Sequence, residues 1–141
     1  MENQNKYRIT RRQTELAVRI TGNSQADLFS NSGFALFDVM AEVEKIEIKE
    51  RVPLEVEGTD RDELLVNWVR ELLYLYQGSG YLLKEFKINE VKDTIVKAEV
   101  CGEKIDPDRH EIKQEIASVA SRKSRMQKTG NQWIAQVIFE L

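Results

Sequence analysis

The chain has 141 residues, a formal net charge of −3 and 32% charged side chains. That length suits one domain, spanning residues 1–141, with room for a hydrophobic core. A single cysteine, Cys101, excludes an internal disulfide and a cysteine-based zinc site, and a single histidine, His110, excludes most catalytic triads.

The polar start Met1–Lys6 leads into no apolar run, so neither a signal peptide nor a membrane span is expected. The reading is a cytoplasmic protein. Mild acidity argues against nucleic-acid binding by the surface as a whole.

Tyr7 and Ile9 open an extended stretch. Leu16, Val18 and Ile20 alternate with Ala17 and Arg19, a half-buried strand that Gly22 ends. The two sets differ in parity, which requires a turn or bulge between Thr10 and Glu15. Asn23 and Ser24 can cap a helix with Asp27 in its first turn, and Leu28, Ala35, Leu36, Val39, Met40 and Val43 keep helical spacing through it. Gly33 interrupts that pattern at a cost of about 1 kcal/mol relative to alanine. Ile46 and Ile48, then Leu54 and Val56, alternate with charged residues and predict strands with one wet face. Pro53 lacks an amide donor and belongs at an edge or a break.

Asp60–Gln77 is the stretch around which the rest is organised. Leu64, Leu65, Trp68, Leu72 and Leu75 fall at helical spacing, and Val66, Val69, Leu73, Tyr74 and Tyr76 extend the apolar surface around most of the circumference. Such a helix must be buried on more than one side. Asp60 with Glu63 forms a variant capping box, and Gly78 and Gly80 mark the end.

Phe86 and Ile88, then Val96, Ala98 and Val100, predict two more strands joined around Asn89–Asp93. In the last third, Ile112, Ile116, Val119 and Ala120 favour a helix opened by Asp106-Pro107, although Ile112–Ser118 also reads as a strand. Trp133, Ala135, Val137, Phe139 and Leu141 alternate strictly and form a C-terminal strand. Helices among many strands make an α+β domain.

No phosphate-binding glycine loop, nucleophile elbow or histidine-rich metal motif is present. The polar run Asp106–Glu111 reads either as a docking or proton-handling turn or, as the plainer alternative, a solvated helix start. Arg8, Arg11, Arg12 and Arg19 form an early basic run, and Arg122, Lys123, Arg125 and Lys128 a late one. Together they could hold phosphate, RNA or an acidic partner, but with no interleaved aromatics they read as solubilising loops, and direct RNA contact is not expected. Glu15 and Glu140 would meet if their strands pair.

Several segments resemble the archease family, in the family's order and over nearly the whole chain. They are Phe34–Met40, Glu55–Gly58, Asp62–Leu75, Asp106–Lys113 and Ala135–Leu141. The resemblance implies helices packed against antiparallel or mixed sheets, with Ile112–Ser118 a strand after a turn at Pro107. It also implies a non-enzymatic, chaperone-like modulator that promotes guanylylation and turnover of an RtcB-type RNA ligase in tRNA splicing or RNA repair.

Archeases carry His-Thr-Ala-Asp where this chain has Arg12, Gln13, Thr14 and Glu15. In the family that Asp, an Asp next to the C-terminus and the terminal residue hold calcium; the matching positions here are Glu15, Glu140 and Leu141. Where the family reads Lys-Ala-Val-Thr-Tyr-His, this chain has Ala117–Arg122. Calcium at this altered locus is therefore expected to be weak or absent, with a salt-bridge cluster of Glu15, Glu140, Arg12 and Arg122 in its place. Arg109, His110 and Lys113 carry over as the retained family segment.

The alternatives are a diverged adaptor that has lost ligase activation and calcium binding, and a hydrolase using Glu15 and Glu140. The second lacks a histidine or metal partner for its carboxylates.

Overall fold

The structure, a computed structural model, describes residues 6–141; the start of the polar N-terminal run lies outside the described residues. Among these, strands β1 (Tyr7–Arg11) and β2 (Glu15–Gly22) precede helix α1 (Gln25–Met40), and β3 (Glu50–Glu57) precedes helix α2 (Arg61–Ser79). The remaining strands are β4 (Tyr81–Val91), β5 (Ile95–Lys104), β6 (Ser118–Thr129) and β7 (Gln132–Glu140).

Two antiparallel sheets result, with orders β1-β2-β7-β6 and β3-β5-β4. Each helix touches both sheets, so the pair forms a layer between them. The architecture is the expected α+β, with every strand pairing antiparallel.

The β1–β2 hairpin pairs Tyr7 with Ile20 and Ile9 with Val18, so the turn at 12–14 resolves the parity change. Ser24 caps α1: its hydroxyl accepts the Asp27 amide at 3.0 Å, and the Asp27 carboxylate accepts the Asn23 amide at 2.9 Å. Gly33 is needed for packing, since a Cβ there would stand 2.7 Å from the Phe86 ring. That contact seats α1 on β4.

Helix α2 is capped as its sequence implies. Asp60 accepts the Glu63 amide at 2.9 Å and Glu63 accepts the Thr59 amide at 3.0 Å. Gly78 lies inside the helix, and Gly80 ends it with φ 74, a conformation glycine adopts without penalty. Trp68 is fully buried, and its indole N–H donates to the Phe29 carbonyl at 2.9 Å, tying α2 to α1. Tyr74 is 55% exposed, so the apolar wrap leaves one open strip.

Three expectations about local structure change. Helix α1 stops at Met40, and Val43 belongs to a separate 3-10 turn, Val43–Lys45. Ile46 and Ile48 form no strand, because side chains take the backbone groups a neighbouring strand would use. Lys84 donates to the Ile46 carbonyl at 3.0 Å, and Glu103 accepts the Glu47 amide at 2.6 Å.

The segment after Pro107 is neither helix nor strand up to Ala117, apart from a single bridge between Ile112 and Ala41. Its polar groups are spoken for by α1 and α2. Lys113 donates its amide to the Met40 carbonyl at 2.7 Å, and Gln77 donates to the carbonyls of Ile116 and Ala117. The strand begins instead at Ser118 and absorbs the late basic run, which is therefore not a loop. Pro53 does lie on an edge strand, β3.

Candidate functional site

Glu15 and Glu140 are register partners on β2 and β7, and Ser118 of β6 sits on the far side of Glu140. Their neighbours Leu16 and Phe139 are fully buried, so strand alternation turns both carboxylates to the outer face of the four-stranded sheet. The Ser118 hydroxyl donates to Glu140 Oε1 at 2.6 Å. Leu141 donates its amide to the Thr14 carbonyl at 2.9 Å, and Ala117 donates to the Glu140 carbonyl at 2.8 Å. The fold thus gathers Glu15, Glu140 and Leu141 at one corner, pinned between the β1–β2 turn and the approach to β6.

Arg12 lines the same groove as Glu15, with Lys123 and Arg125, in a space of about 370 Å³. The expected salt-bridge cluster does not form. Among the described residues, neither Arg12 nor Arg122 has a carboxylate partner. Ser118, not an arginine, faces Glu140, and Arg122 falls several residues further along β6. Two like charges therefore stand opposite each other, an arrangement that costs up to about 1 kcal/mol.

Calcium takes six to eight oxygens in a flexible shell. Here two side-chain carboxylates and the Leu141 carboxyl group are the candidates, one Glu140 oxygen already accepts from Ser118, and cationic Arg12 shares the groove. Among the described residues, no three Asp, Glu, His or Cys side chains gather as a metal-ligating group. This donor set fits a calcium cage poorly.

Arg109 and His110 lie elsewhere, around Glu103 at the end of β5. Glu103 is 3% exposed and His110 8%. Glu103 accepts from the Arg109 guanidinium in a short contact, from the Glu47 amide at 2.6 Å and from His110 Nε2 at 3.1 Å. Lys49 adds an ion pair at 3.6 Å. His110 Nδ1 accepts the Asp106 amide at 2.8 Å, which leaves Nε2 as the ring donor to Glu103. Arg109 also donates to the Lys45 carbonyl at 3.1 Å.

Burial pulls the Glu103 carboxyl upward, but Arg109, the Glu47 amide and His110 outweigh it and hold its pKa down at about 2. The conspicuous Arg-His pair is therefore a clamp joining the 45–49 segment, β5 and the turn at Pro107. It is neither a solvated helix start nor part of the acidic corner. Lys113 stands apart from both, beside Arg11, Leu16 and Asp38 in a groove near β1.

Over residues 7–141 the chain matches the archease protein family. The chain belongs to the archease family. Protein archease of Pyrococcus furiosus is 34% identical over 128 residues, covering 88% of this chain and 90% of that protein. The archease of Methanopyrus kandleri is 29% identical over 130 residues, covering 90% and 93%.

The solution structure of Methanobacterium thermoautotrophicum protein 1598 matches with a TM-score of 0.80 at 24% identity, over 96% of this chain and 98% of that one. A crystal structure of an archease from Thermotoga maritima, described as a possible chaperone, matches with a TM-score of 0.60 at 16% identity, over 94% and 98%. These two likenesses show that the archease fold is shared.

Sequence reasoning missed Glu103, whose setting in Gly102-Glu103-Lys104 looks like an ordinary strand end. Its only advance signal is a carboxylate six and seven residues before an Arg-His pair. Gln136, between inward-facing Ala135 and Val137, donates to the carbonyl of Lys123 at 3.0 Å and holds β6 there.

Proposed function

We propose that this archease-family protein acts without catalysis of its own, as a modulator of an RtcB-type RNA ligase that promotes the ligase's guanylylation and turnover. The acidic corner supports this reading most directly. Glu15 and Glu140 face outward side by side, with no guanidinium neutralising them among the described residues, and are free to engage a cationic group on a partner. No resident cation is needed for that role.

The ligase reading places the protein in the cytoplasm. Separately, no helix among the described residues is long and apolar enough to cross a membrane. Multiple-turnover ligation by the cognate ligase, with and without the protein, tests the proposal. Stimulation is expected, and it should disappear in Glu15→Ala and Glu140→Ala. Identical turnover with and without the protein would sink it.

A second reading is a diverged adaptor that no longer activates a ligase. Arg12 in the groove beside Glu15 favours it, since a cation there alters the charge a ligase would meet. Capture from the native cell separates the two, because an adaptor brings down a partner other than the ligase.

A further inference from the structure

The two basic runs, far apart in sequence, are brought together by the fold. Arg8 pairs in register with Arg19, Arg19 with Gln136, and Gln136 with Arg125. Three guanidinium groups and one amide therefore form a single row across all four strands of the outer face. At about 4.8 Å per strand the row is roughly 14 Å long. Ala17 and Ile138 make the floor of the groove beside it, with Arg12 and Lys123 on its walls. A second groove, about 270 Å³, continues from Arg125 past Arg19.

Two features set this row apart from a solvated basic surface. First, among the described residues none of Arg8, Arg12, Arg19, Lys123 or Arg125 has a carboxylate partner, although lysines and arginines elsewhere in the molecule do. Second, β6 is bulged at this place. It takes five residues from Ala120 to Arg125 while β7 takes two from Ile138 to Gln136. The bulge holds Lys123 at φ 65, a left-handed conformation unfavourable for lysine, and Lys123 lines the groove.

We propose that this face of the four-stranded sheet binds the phosphate backbone of a base-paired RNA segment, without reading sequence. Unpaired guanidinium forks match phosphate oxygens. Among the described residues the face offers no exposed aromatic for stacking bases; the exposed large apolar side chains among them are Ile48, Tyr74 and Leu141, and none lies in the row. The same lack of an apolar anchor argues against an acidic protein as the occupant.

Among the described residues no helix stands out from the sheet to enter a DNA major groove, whereas the broad, shallow groove of an RNA helix is recognised by shape and backbone. With a net charge of −3 overall, repulsion from the other surfaces directs a polyanion to this row. Glu15 and Glu140 lie on the same face, two register rows along the central strands from Arg19 and Gln136. The inference does not rest on the ligase reading, and its test contains no ligase.

The test is fluorescence anisotropy of a labelled RNA hairpin of about 16 base pairs, titrated with the full chain at several salt concentrations. Binding that weakens steeply with salt is expected. The Arg19→Glu/Arg125→Glu variant should raise Kd at least tenfold, and Arg8→Gln should reduce the log–log salt slope by roughly 0.7–0.9. These residues are exposed, so circular dichroism of each variant should match the parent. Absence of binding at low salt, unchanged affinity in both variants, equal competition by poly-glutamate, or equal affinity for a DNA hairpin of the same length and sequence would each overturn the proposal.

Discussion

The Glu103 clamp and the outer face of the four-stranded sheet both concentrate charge, and they treat it in opposite ways. Around Glu103, one buried carboxylate is surrounded by donors from two segments, the 45–49 stretch and the turn after Pro107, and its charge is answered. On the outer face, two carboxylates and several arginines stand without ion-pair partners among the described residues. The difference teaches where to look for function. A buried charge that is fully paired holds the fold together, while exposed charges left unpaired are free to meet something else.

Removing the clamp's centre should have the largest effect. Glu103→Ala strands His110 and the Glu47 amide without their acceptor and should cost about 3 kcal/mol in urea unfolding, moderated because Arg109 can turn to solvent. A loss under 1 kcal/mol would make the clamp a surface feature.

The same group sets a pH signature. The folded pKa of Glu103 lies at about 2, below its ordinary 4.5, so the unfolded chain binds the proton more readily. The clamp's contribution is complete above about pH 4.5 and is lost as pH falls toward 2. The stability difference between the parent chain and Glu103→Gln should narrow over that window, and a difference constant with pH would refute the assignment.

A smaller effect tests the packing beneath both regions. Gly33→Ala drives a methyl into the Phe86 ring and should destabilise by about 1–3 kcal/mol, measured by thermal unfolding.

On the outer face the expected sign reverses. Glu15→Gln relieves the opposition to Glu140 and should leave stability unchanged or raise it by a few tenths of a kcal/mol. Adding calcium should barely move Tm, whereas a site filled at 100 times its Kd would contribute about 2.7 kcal/mol. A large calcium-dependent rise, abolished in Glu15→Gln, would give the corner a cation after all.

Much of the fold was legible. Leu16, Val18 and Ile20, and the strict alternation from Trp133 to Phe139, mark strands because a half-buried sheet repeats every two residues. Asp60, Glu63 and the apolar run after them mark α2 through capping and a 3.6-residue period. The pairing of Glu15 with Glu140 could be named as a possibility only.

The rest was hidden for physical reasons. In β6 the buried positions are Val119 and Ala120, then Ser124 and Met126 beyond a bulge, so no continuous two-residue signal survives. Ile112 and Ile116 kept helical spacing but were drawn into irregular structure by Met40 and Gln77.

By itself, then, the sequence determined the elements whose apolar residues recur in a regular period, the caps that bound the helices, and membership of a family. Only the tertiary structure decided which charges are buried together and which are left facing water. Periodicity is a property of neighbours along the chain, whereas a charge's partners come from segments dozens of residues away. Glu103 accepts the Glu47 amide across 56 residues of sequence, and Arg8 comes to share a row with Arg125 only through the pairing of β2 with β7.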